Sequence, residues 1–273
     1  MRVGAHVSSA GGVVQALARA HEAGCDTLQV FTSSPRQWRA RPIPAVEAAA
    51  ARQLRRKYRL RPLAVHASYL INVAGTQPHF RRQSVAALRG ELERASAVGA
   101  EYLVLHPGSG AVADCVAGVV EAASGRSWGT LTLLIENTAG GGNHLAGTFP
   151  VWAQILDLLE EQLDGLKVGG CFDTCHTWVA GYDLVSPSGY AATMKELRST
   201  VGLGRVKLVH ANDAKAEQGS HHDRHEHIGK GRLGEAAFRQ ILQDPRWRGK
   251  AFIVETPLDG QARDMAALRR LAQ

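Results

Sequence analysis

The segment at 219–231 reads GSHHDRHEHIGKG and carries four histidines, one aspartate and one glutamate. Histidine nitrogens and carboxylate oxygens are ligands of divalent metal ions, and a His-rich tract is a compositional indication of metal binding. A charge-rich loop is also common as solvated surface, so the segment alone leaves both interpretations open. In an extended conformation one side of the chain presents His221, Asp223, His225 and His227, and alternation does not choose among these four.

Six successive predicted strands end in a residue that can bind a metal ion. These residues are His66, His106, Glu136, Asp173, with His176 just beyond it, His210 and Glu255. A single residue of this kind is usually a hydrogen-bonded or ion-paired side chain. Several carboxylates in one buried cup would repel one another unless cations neutralise them, so six in a row favour a metal centre.

The candidate ligands are imidazoles and carboxylates without thiolates. This set suits Zn²⁺ first, with Mn²⁺ or Fe²⁺ as alternatives. Three ligands from the His-rich segment and the sixth strand would complete a further site beside the others. At about three protein ligands per ion, nine candidates indicate two or three ions. Clustered divalent ions are a recurring solution for phosphoester hydrolysis.

The elements that must position these residues alternate between strand and helix along the whole chain. Apolar β-type runs predict strands at Val3–Val7, Thr27–Thr32, Leu63–His66, Tyr102–His106, Leu131–Glu136, Lys167–Asp173, Arg205–His210 and Ala251–Glu255. Helical periodicity predicts helices at Ala10–Ala23, Pro44–Tyr58, Phe80–Val98, Val112–Ser124, Phe149–Glu161, Pro187–Thr200, Glu235–Gln243 and Ala262–Leu271.

Eight such units in 273 residues predict an α/β fold, a (β/α)8 TIM barrel that forms a single domain over residues 1–273. No Pro/Ser-rich linker divides the chain. Neither a GxGxxG fingerprint after the first strand nor a Walker sequence is present, so the sequence gives no support for a nucleotide cofactor. In a barrel the carboxyl ends of all strands meet at one face, which would gather the candidate ligands into a metal cluster there.

Composition and targeting signals indicate a soluble protein. Hydrophobic residues make up 45% and charged residues 21% of the chain, as in ordinary globular proteins. No apolar run reaches the ~18 residues of a membrane helix, and MRVGAHV does not resemble a secretory signal. We therefore expect a cytoplasmic protein without membrane association. The four cysteines are too few for a disulfide framework, and CFDTC alone is a weak zinc motif.

Positive charge is concentrated in one part of the chain. The net charge is +7, and this balance suits a polyanionic partner or an acidic substrate. Residues 36–61 contain nine basic residues and one acidic residue, Glu47. Arg36, Arg39 and Arg41 follow the second strand and are expected on the cup face. The basic residues from 52 to 61 lie towards the end of a helix that runs to the opposite face, where they would complement its dipole or be solvated.

Several long segments are specific enough to indicate a family. They are GAHVSSAGG, FTSSPRQWRA, HASYLINVA, LHPGS, IENTAGGG, FDTCHTWVAGYD, HANDAK, GSHHDRHEHIGKG and VETP, and together they span nearly the full length. In these segments the chain resembles endonuclease IV, the family of zinc-dependent apurinic/apyrimidinic (AP) endonucleases of DNA base-excision repair. The resemblance implies hydrolysis of the phosphodiester 5′ to an abasic site, leaving a 3′-hydroxyl.

The resemblance also implies a division of the nine ligands among three zinc ions. His66, His106 and Glu136 would hold the first, and Glu136 would bridge to the second. The second would also take Asp173, His210 and Glu255. The third would take His176, Asp223 and His225, leaving His221 and His227 outside the set. Catalysis would depend on Glu136 and on Glu255, which would orient the attacking hydroxide or take the proton from the water that forms it.

The partner implied by the resemblance is double-stranded DNA that contains an abasic site. Such DNA bends and unstacks at lower cost than intact duplex. Arg36, Tyr69 and Leu70 would enter the duplex at the lesion. Tyr69 and Leu70 follow the third strand, so a position in the core is the alternative for these two residues. We expect a monomer.

The chain departs from the family pattern at Ser33, Ser34, Ala67 and Glu226. These departures are expected to affect DNA affinity and the surroundings of the metal ions. The alternative function is that of a metal-dependent sugar isomerase or epimerase of the same barrel type. Such enzymes generally use one or two ions, so the segment around Asp223 together with His176 distinguishes the two functions.

Overall fold

The computed structural model describes all 273 residues and shows eight parallel strands closed into a barrel. The barrel strands are β1 (Arg2–His6), β2 (Thr27–Val30), β3 (Leu63–His66), β4 (Tyr102–Leu105), β5 (Thr132–Glu136), β6 (Lys167–Asp173), β7 (Val206–His210) and β10 (Ala251–Val254). Neighbours in the chain are neighbours in the barrel, and β10 pairs with both β7 and β1. The predicted (β/α)8 barrel is confirmed.

Helices surround the barrel and connect its strands. They are α1 (Val13–Glu22), α2 (Ala45–Tyr58), α3 (Pro78–Ala97), α4 (Val112–Ala123), α5 (Phe149–Gln162), α6 (Thr174–Val179), α7 (Pro187–Thr200), α8 (Gly234–Gln243) and α9 (Gln261–Leu271). Proline opens α3, α5 and α7 in the first turn, where its missing N–H costs no hydrogen bond. None of the helices combines the length and the apolar composition needed to cross a membrane.

The structure differs from the predicted elements mainly at their ends. The second strand ends at Val30 rather than Thr32, and the first helix begins at Val13 rather than Ala10. His106 and Glu255 each lie one residue beyond their strand. Three short elements were not predicted, because they are too short to show periodicity. They are α6, an antiparallel pair formed by β8 (Asp213–Ala214) and β9 (His225–Glu226), and a 3₁₀ turn at Pro245–Trp247.

Two hydrophobic clusters show which way the strand residues face. A cluster of 69 buried residues packs between the strands and the helices. A separate cluster of seven fills the barrel interior with Ala64, Val104, Leu134, Cys171, Leu208, Ala251 and Ile253. Because side chains alternate along a strand, the residue two positions after each inward residue also faces inward. The next inward position in six strands is occupied by His66, His106, Glu136, Asp173, His210 and Glu255.

The basic end of α2 is bound to the scaffold at the opposite face from these side chains. Arg55 makes two hydrogen bonds of 2.9 and 2.7 Å to Glu101, which also accepts a bond from the backbone N–H of Leu63. Arg61 lies 3.3 Å from the same carboxylate, and Arg52 donates to the carbonyl of Ala97. These contacts agree with a structural role for this part of the basic window.

A glycine in β1 permits a close backbone contact with β2. Gly4 pairs with Thr27 of β2, and a Cβ on Gly4 would lie 1.8 Å from the carbonyl oxygen of Thr27. Gly4→Ala should therefore lower the free energy of unfolding by about 3 kcal/mol or more, because the two backbones must separate. Urea unfolding followed by circular dichroism measures this loss.

Gly204→Ala is the matched control, because a Cβ there would meet nothing within 4 Å and its φ is not positive. Its free energy of unfolding should stay within about 1 kcal/mol of the original protein. Equal stability of the two variants would contradict the assigned strand contact.

Candidate metal centre

Three groups made only of imidazole and carboxylate ligands lie at the carboxyl ends of the barrel strands. In each group the ligand atoms are within 4.8 Å of one another. The groups consist of His66, His106 and Glu136; of Glu136, Asp173, His210 and Glu255; and of His176, Asp223 and His225. All nine residues that the sequence predicted as ligands are therefore brought together, and Glu136 belongs to two groups.

The first group is built on β3, the end of β4 and β5. Oε2 of Glu136 lies 3.3 Å from Nε2 of His66 and 3.1 Å from Nε2 of His106. This oxygen is buried and has no hydrogen-bond partner. The Nδ1 atom of His66 lies 2.7 Å from the carbonyl oxygen of Ala67, which fixes the ring so that Nε2 faces the carboxylate.

The second group surrounds His210 at the centre of the barrel. Nδ1 of His210 lies 2.9 Å from Oε1 of Glu136, 3.3 Å from Oε2 of Glu255 and 3.9 Å from Oδ2 of Asp173. His210 and Asp173 are fully buried, and the side chain of Glu255 is 11% exposed. One imidazole nitrogen thus faces three carboxylates in a nearly water-free environment.

The third group joins the short helix α6 to the His-rich segment. Asp223 bridges the two rings, with Oδ2 at 3.1 Å from Nε2 of His176 and Oδ1 at 3.1 Å from Nε2 of His225. Asp173 caps α6 by accepting a 2.7 Å hydrogen bond from the backbone N–H of His176. This cap places His176 on the first turn of α6, next to the second group.

The protonation of these groups shows how strongly their charges interact. Burial by itself would raise the pKa of Glu136, but the neighbouring imidazoles of His210 and His106 outweigh it and hold this pKa well below its usual range. Burial would lower the pKa of His225, yet the Asp223 carboxylate at 3.1 Å and the other nearby carboxylates raise it to about 9. Carboxylates packed this closely need positive charge among them, a role that divalent cations perform.

Unpartnered polar atoms test whether the residues fit a metal centre. Buried atoms without a hydrogen-bond partner are rare in folded proteins. Oε2 of Glu136, Oδ1 of Asp223 and Nε2 of His225 are such atoms, and each belongs to a candidate group. The donor set of imidazole and carboxylate suits zinc, manganese or iron in the divalent state. The residues present fit bound metal ions.

Two inward polar residues complete the ring of strand-end side chains and were missed in the sequence. His6 of β1 and Gln29 of β2 are paired in register, and both contact Glu255. The signal was present, because His6 in VGAHV and Gln29 in TLQVF are polar residues at inward positions of largely apolar strands. They were missed because neither is the last residue of its predicted strand, which ends at Val7 or Thr32.

Asparagine side chains fix the ligands from behind. Asn212 donates to Oδ2 of Asp173 at 2.7 Å and to Oε2 of Glu255 at 3.2 Å, and its Oδ1 accepts from the backbone N–H of Glu255. The side-chain oxygen of Asn137 accepts from the backbone N–H of Asp173, and the backbone carbonyl oxygen of Asn137 lies 2.9 Å from Nδ1 of His176. These contacts restrict the orientation of the candidate ligands.

The His-rich segment is extended over only part of its length. His225 lies in β9, whereas His221 has a φ of 58° and contacts the carbonyl oxygen of Ala139. His227 contacts Asp264 at 2.8 Å. The segment therefore does not form one continuous extended strand. Of the four residues expected on one side of it, only Asp223 and His225 lie close to His176.

The residues expected to contact DNA lie around the mouth of the cup. Tyr69 is 62% exposed, and its ring centroid is 5.4 Å from that of His66 and 6.1 Å from that of His106. Leu70 is half-buried and lines a cavity of about 450 Å³ together with Trp38 and Phe80. Arg36 is exposed. A core position for Tyr69 is therefore wrong.

A larger cavity adjoins the exposed basic residues of the same face. It has a volume of about 910 Å³, and His6, Phe31, Arg39 and Arg41 are among its lining residues. The four cysteines are unpaired and buried. Cys171 and Cys175 lie near ligand groups, but burial raises the pKa of Cys171 to about 12, which disfavours the thiolate that a metal would need.

Comparisons with known proteins agree with this arrangement. A family model described as xylose isomerase-like TIM barrel matches residues 17–271. A probable endonuclease 4 of Solibacter usitatus is 43% identical, over 100% of this chain and 97% of the relative. A probable endonuclease 4 of Methanoculleus marisnigri is 41% identical, over 99% of this chain and 98% of the relative. The chain belongs to the endonuclease IV family.

Solved structures extend the comparison. Endonuclease IV from Thermus thermophilus superimposes with a TM-score of 0.88 at 37% identity, covering 99% of this chain and 98% of that one. A D-tagatose 3-epimerase-like protein superimposes with a TM-score of 0.69 at 19% identity, covering 99% and 97% of the two chains, which shows a shared fold alone. Membership of the endonuclease IV family confirms the prediction that this protein is a hydrolase.

Asp213 organises the loop that follows the His-rich segment. It is buried, and its carboxylate accepts backbone N–H bonds from Ala214, Gly229, Gly231, Leu233 and Gly234. Asp213→Ala should lower the free energy of unfolding by about 3 kcal/mol, because several buried N–H groups lose their acceptor. Hydrogen exchange at residues 229–234 should become at least tenfold faster.

Asp259→Ala is the control for this prediction, since its side chain is 83% exposed at the end of the neighbouring strand–helix connection. Its exchange rates at residues 229–234 should match those of the original protein. Unchanged exchange in Asp213→Ala would show that the loop is held by other contacts.

Proposed function

We propose that this protein is an AP endonuclease that hydrolyses the phosphodiester 5′ to an abasic site in double-stranded DNA and leaves a 3′-hydroxyl. The observation that carries this proposal is the set of three contiguous ligand groups at one face of the barrel, joined through Glu136. Family membership supports a nuclease, and the three groups support a phosphodiester as the bond that is hydrolysed.

The proposed cofactor is a cluster of three zinc ions, with manganese or iron as alternatives. His66, His106 and Glu136 would hold one ion; Glu136, Asp173, His210 and Glu255 would hold another; and His176, Asp223 and His225 would hold the third. When bound, such ions supply a hydroxide at neutral pH and neutralise charge on the phosphoryl oxygens.

Glu255 is the proposed base that orients the attacking water and accepts its proton. Its Oε1 accepts a 2.6 Å hydrogen bond from Gln29, and its Oε2 faces His210 and Asn212. These contacts hold the carboxylate at one orientation at the edge of the buried cup, where it is 11% exposed. Burial would raise the pKa of Glu255, but the charge of His210 outweighs this and keeps it below its usual value, so the carboxylate is ionised at neutral pH.

DNA recognition would use the residues at the mouth of the cup. The exposed ring of Tyr69 and the half-buried Leu70 offer an apolar surface to the gap left by a missing base. Arg36, Arg39 and Arg41 supply positive charge on the same face for the phosphates. A missing base lowers the cost of bending the duplex, which supports selection for the lesion without a base contact.

The alternative of a sugar isomerase or epimerase is less well supported. Such barrels generally need one or two ions, whereas this chain offers a third group through Asp223, His225 and His176. The epimerase and epimerase-like structures that resemble it are at or below 19% identity and share the fold alone.

The experiment that tests the function is incision of a duplex oligonucleotide carrying one tetrahydrofuran abasic analogue. The expected product is a single nick 5′ to the analogue with an extendable 3′-hydroxyl. Removal of the ions with a chelator should abolish the nick, and added zinc should restore it. A preparation that contains about three zinc ions per chain and leaves this substrate intact would refute the proposal.

The role of Glu255 makes a separate prediction. Glu255→Gln should lower kcat by about 10²- to 10⁴-fold, because the amide cannot accept the proton, while the Kd for abasic duplex changes little. Single-turnover incision and fluorescence anisotropy measure the two quantities. Glu121→Gln, a change at an exposed carboxylate paired with Arg81 on the outer helices, should leave both unchanged. A parallel loss of affinity and rate in Glu255→Gln would indicate a structural role.

A further inference from the structure

Gln29 is a buried polar residue whose contacts join the candidate base to the central histidine. It is fully buried in β2. Its Nε2 lies 2.6 Å from Oε1 of Glu255 and 3.0 Å from Nδ1 of His6, and its Oε1 lies 2.9 Å from Nε2 of His210. All the hydrogen-bonding contacts of its side chain are thus directed at His6, Glu255 and His210, around the metal centre.

The neighbours of Gln29 fix the orientation of its amide. An ionised carboxylate only accepts hydrogen bonds, so the amide NH₂ must face Glu255. The reversed amide would place two oxygens 2.6 Å apart, without a proton between them. The carbonyl oxygen of Gln29 therefore faces His210, and this oxygen only accepts.

The orientation of the amide in turn fixes the tautomer of His210. Nε2 of His210 must carry a hydrogen in order to donate to Gln29. In the neutral ring Nδ1 is then left with a free lone pair. That lone pair points towards Glu136, Glu255 and Asp173, at 2.9, 3.3 and 3.9 Å. A lone pair facing three carboxylates is the arrangement that a bound cation requires.

We propose that Gln29 is a positioning residue that prepares the second ligand group for its metal ion, by setting the tautomer of His210 and the orientation of Glu255 at the same time. Nothing else in the structure does both. Asn212 orients Glu255 and Asp173 but has no contact with His210. The inference rests on the ligand set of the proposed function.

The role differs from that of a residue needed only for folding. Loss of a buried hydrogen bond anywhere in the barrel lowers stability. Loss of a hydrogen-bond partner of a metal ligand also lowers the affinity for the metal, by about 10- to 100-fold. Zinc retention is therefore the readout that separates the two roles, and it does not depend on activity.

The test compares zinc-loaded Gln29→Met with the zinc-loaded original protein. Methionine has nearly the same shape but cannot bond to His210 or Glu255. Competition with a chromogenic chelator should show that at least one ion binds about 10- to 100-fold more weakly and is released faster. The matched control is Thr193→Val on α7, away from the centre, which removes a buried 2.9 Å hydrogen bond to the carbonyl of Asp183. This control should retain zinc like the original protein.

A second measurement uses the unmodified protein and does not depend on a variant folding. Long-range ¹H–¹⁵N spectra of the zinc-loaded protein should show His210 protonated at Nε2 and not at Nδ1. If Gln29→Met does not fold, Gln29→Asn takes its place, because the shorter amide cannot reach both partners. A lower affinity for zinc in Gln29→Asn supports the proposal.

The outcomes are distinct. Zinc affinity in the Gln29 variant within about twofold of the original, or an Nδ1-protonated His210 in the loaded protein, would overturn the positioning role. Equal weakening in Thr193→Val would do the same, since it would assign the effect to general destabilisation. If the original protein retains no zinc and does not incise abasic duplex, the proposed function itself fails, which is a different result.

Discussion

Charge balance inside a narrow cup is the constraint on which the rest of this structure depends. Glu136, Asp173 and Glu255 converge on one imidazole nitrogen of His210, in a space that water hardly enters. Burial of several like charges is costly unless opposite charges lie among them. The surrounding histidines could bind cations at this place. The asparagine and glutamine side chains behind them would keep these ligands in position.

The barrel meets this constraint by a simple repetition. Each strand places one residue of its inward-facing series at the carboxyl end, directly beyond the apolar layer that includes Leu134 and Leu208. Apolar residues below the cup supply the packing that keeps the strands in register, so the polar layer above them need not contribute to stability. Stability and chemistry are thereby assigned to successive layers of the same strands.

The third ligand group depends on loops and a short helix rather than on strands alone. Asp223 and His225 come from a connection that is tied down by Asp213 and, through His227 and Ile228, by Asp264. Each of these buried aspartates satisfies several donors at once, which gives a long, glycine-rich connection a defined shape. The strand-end ligands are fixed by the barrel, whereas these two are fixed by carboxylates that contact no candidate metal ligand.

The sequence by itself predicted the alternating strand and helix pattern, the barrel, and the six candidate ligands at strand ends, because periodicity and strand-end position are local properties of the chain. It also carried the family resemblance, which selected Asp223 and His225 from the His-rich segment. It did not reveal α6 or β8 and β9, which are too short to produce a pattern, and it suggested a continuous extended segment where His221 turns the chain. Only the tertiary structure decided that Tyr69 is exposed over the cup and that His6 and Gln29 complete the ring. These features depend on contacts between side chains from strands that are distant in sequence. Hydrophobic periodicity carries no information about such contacts.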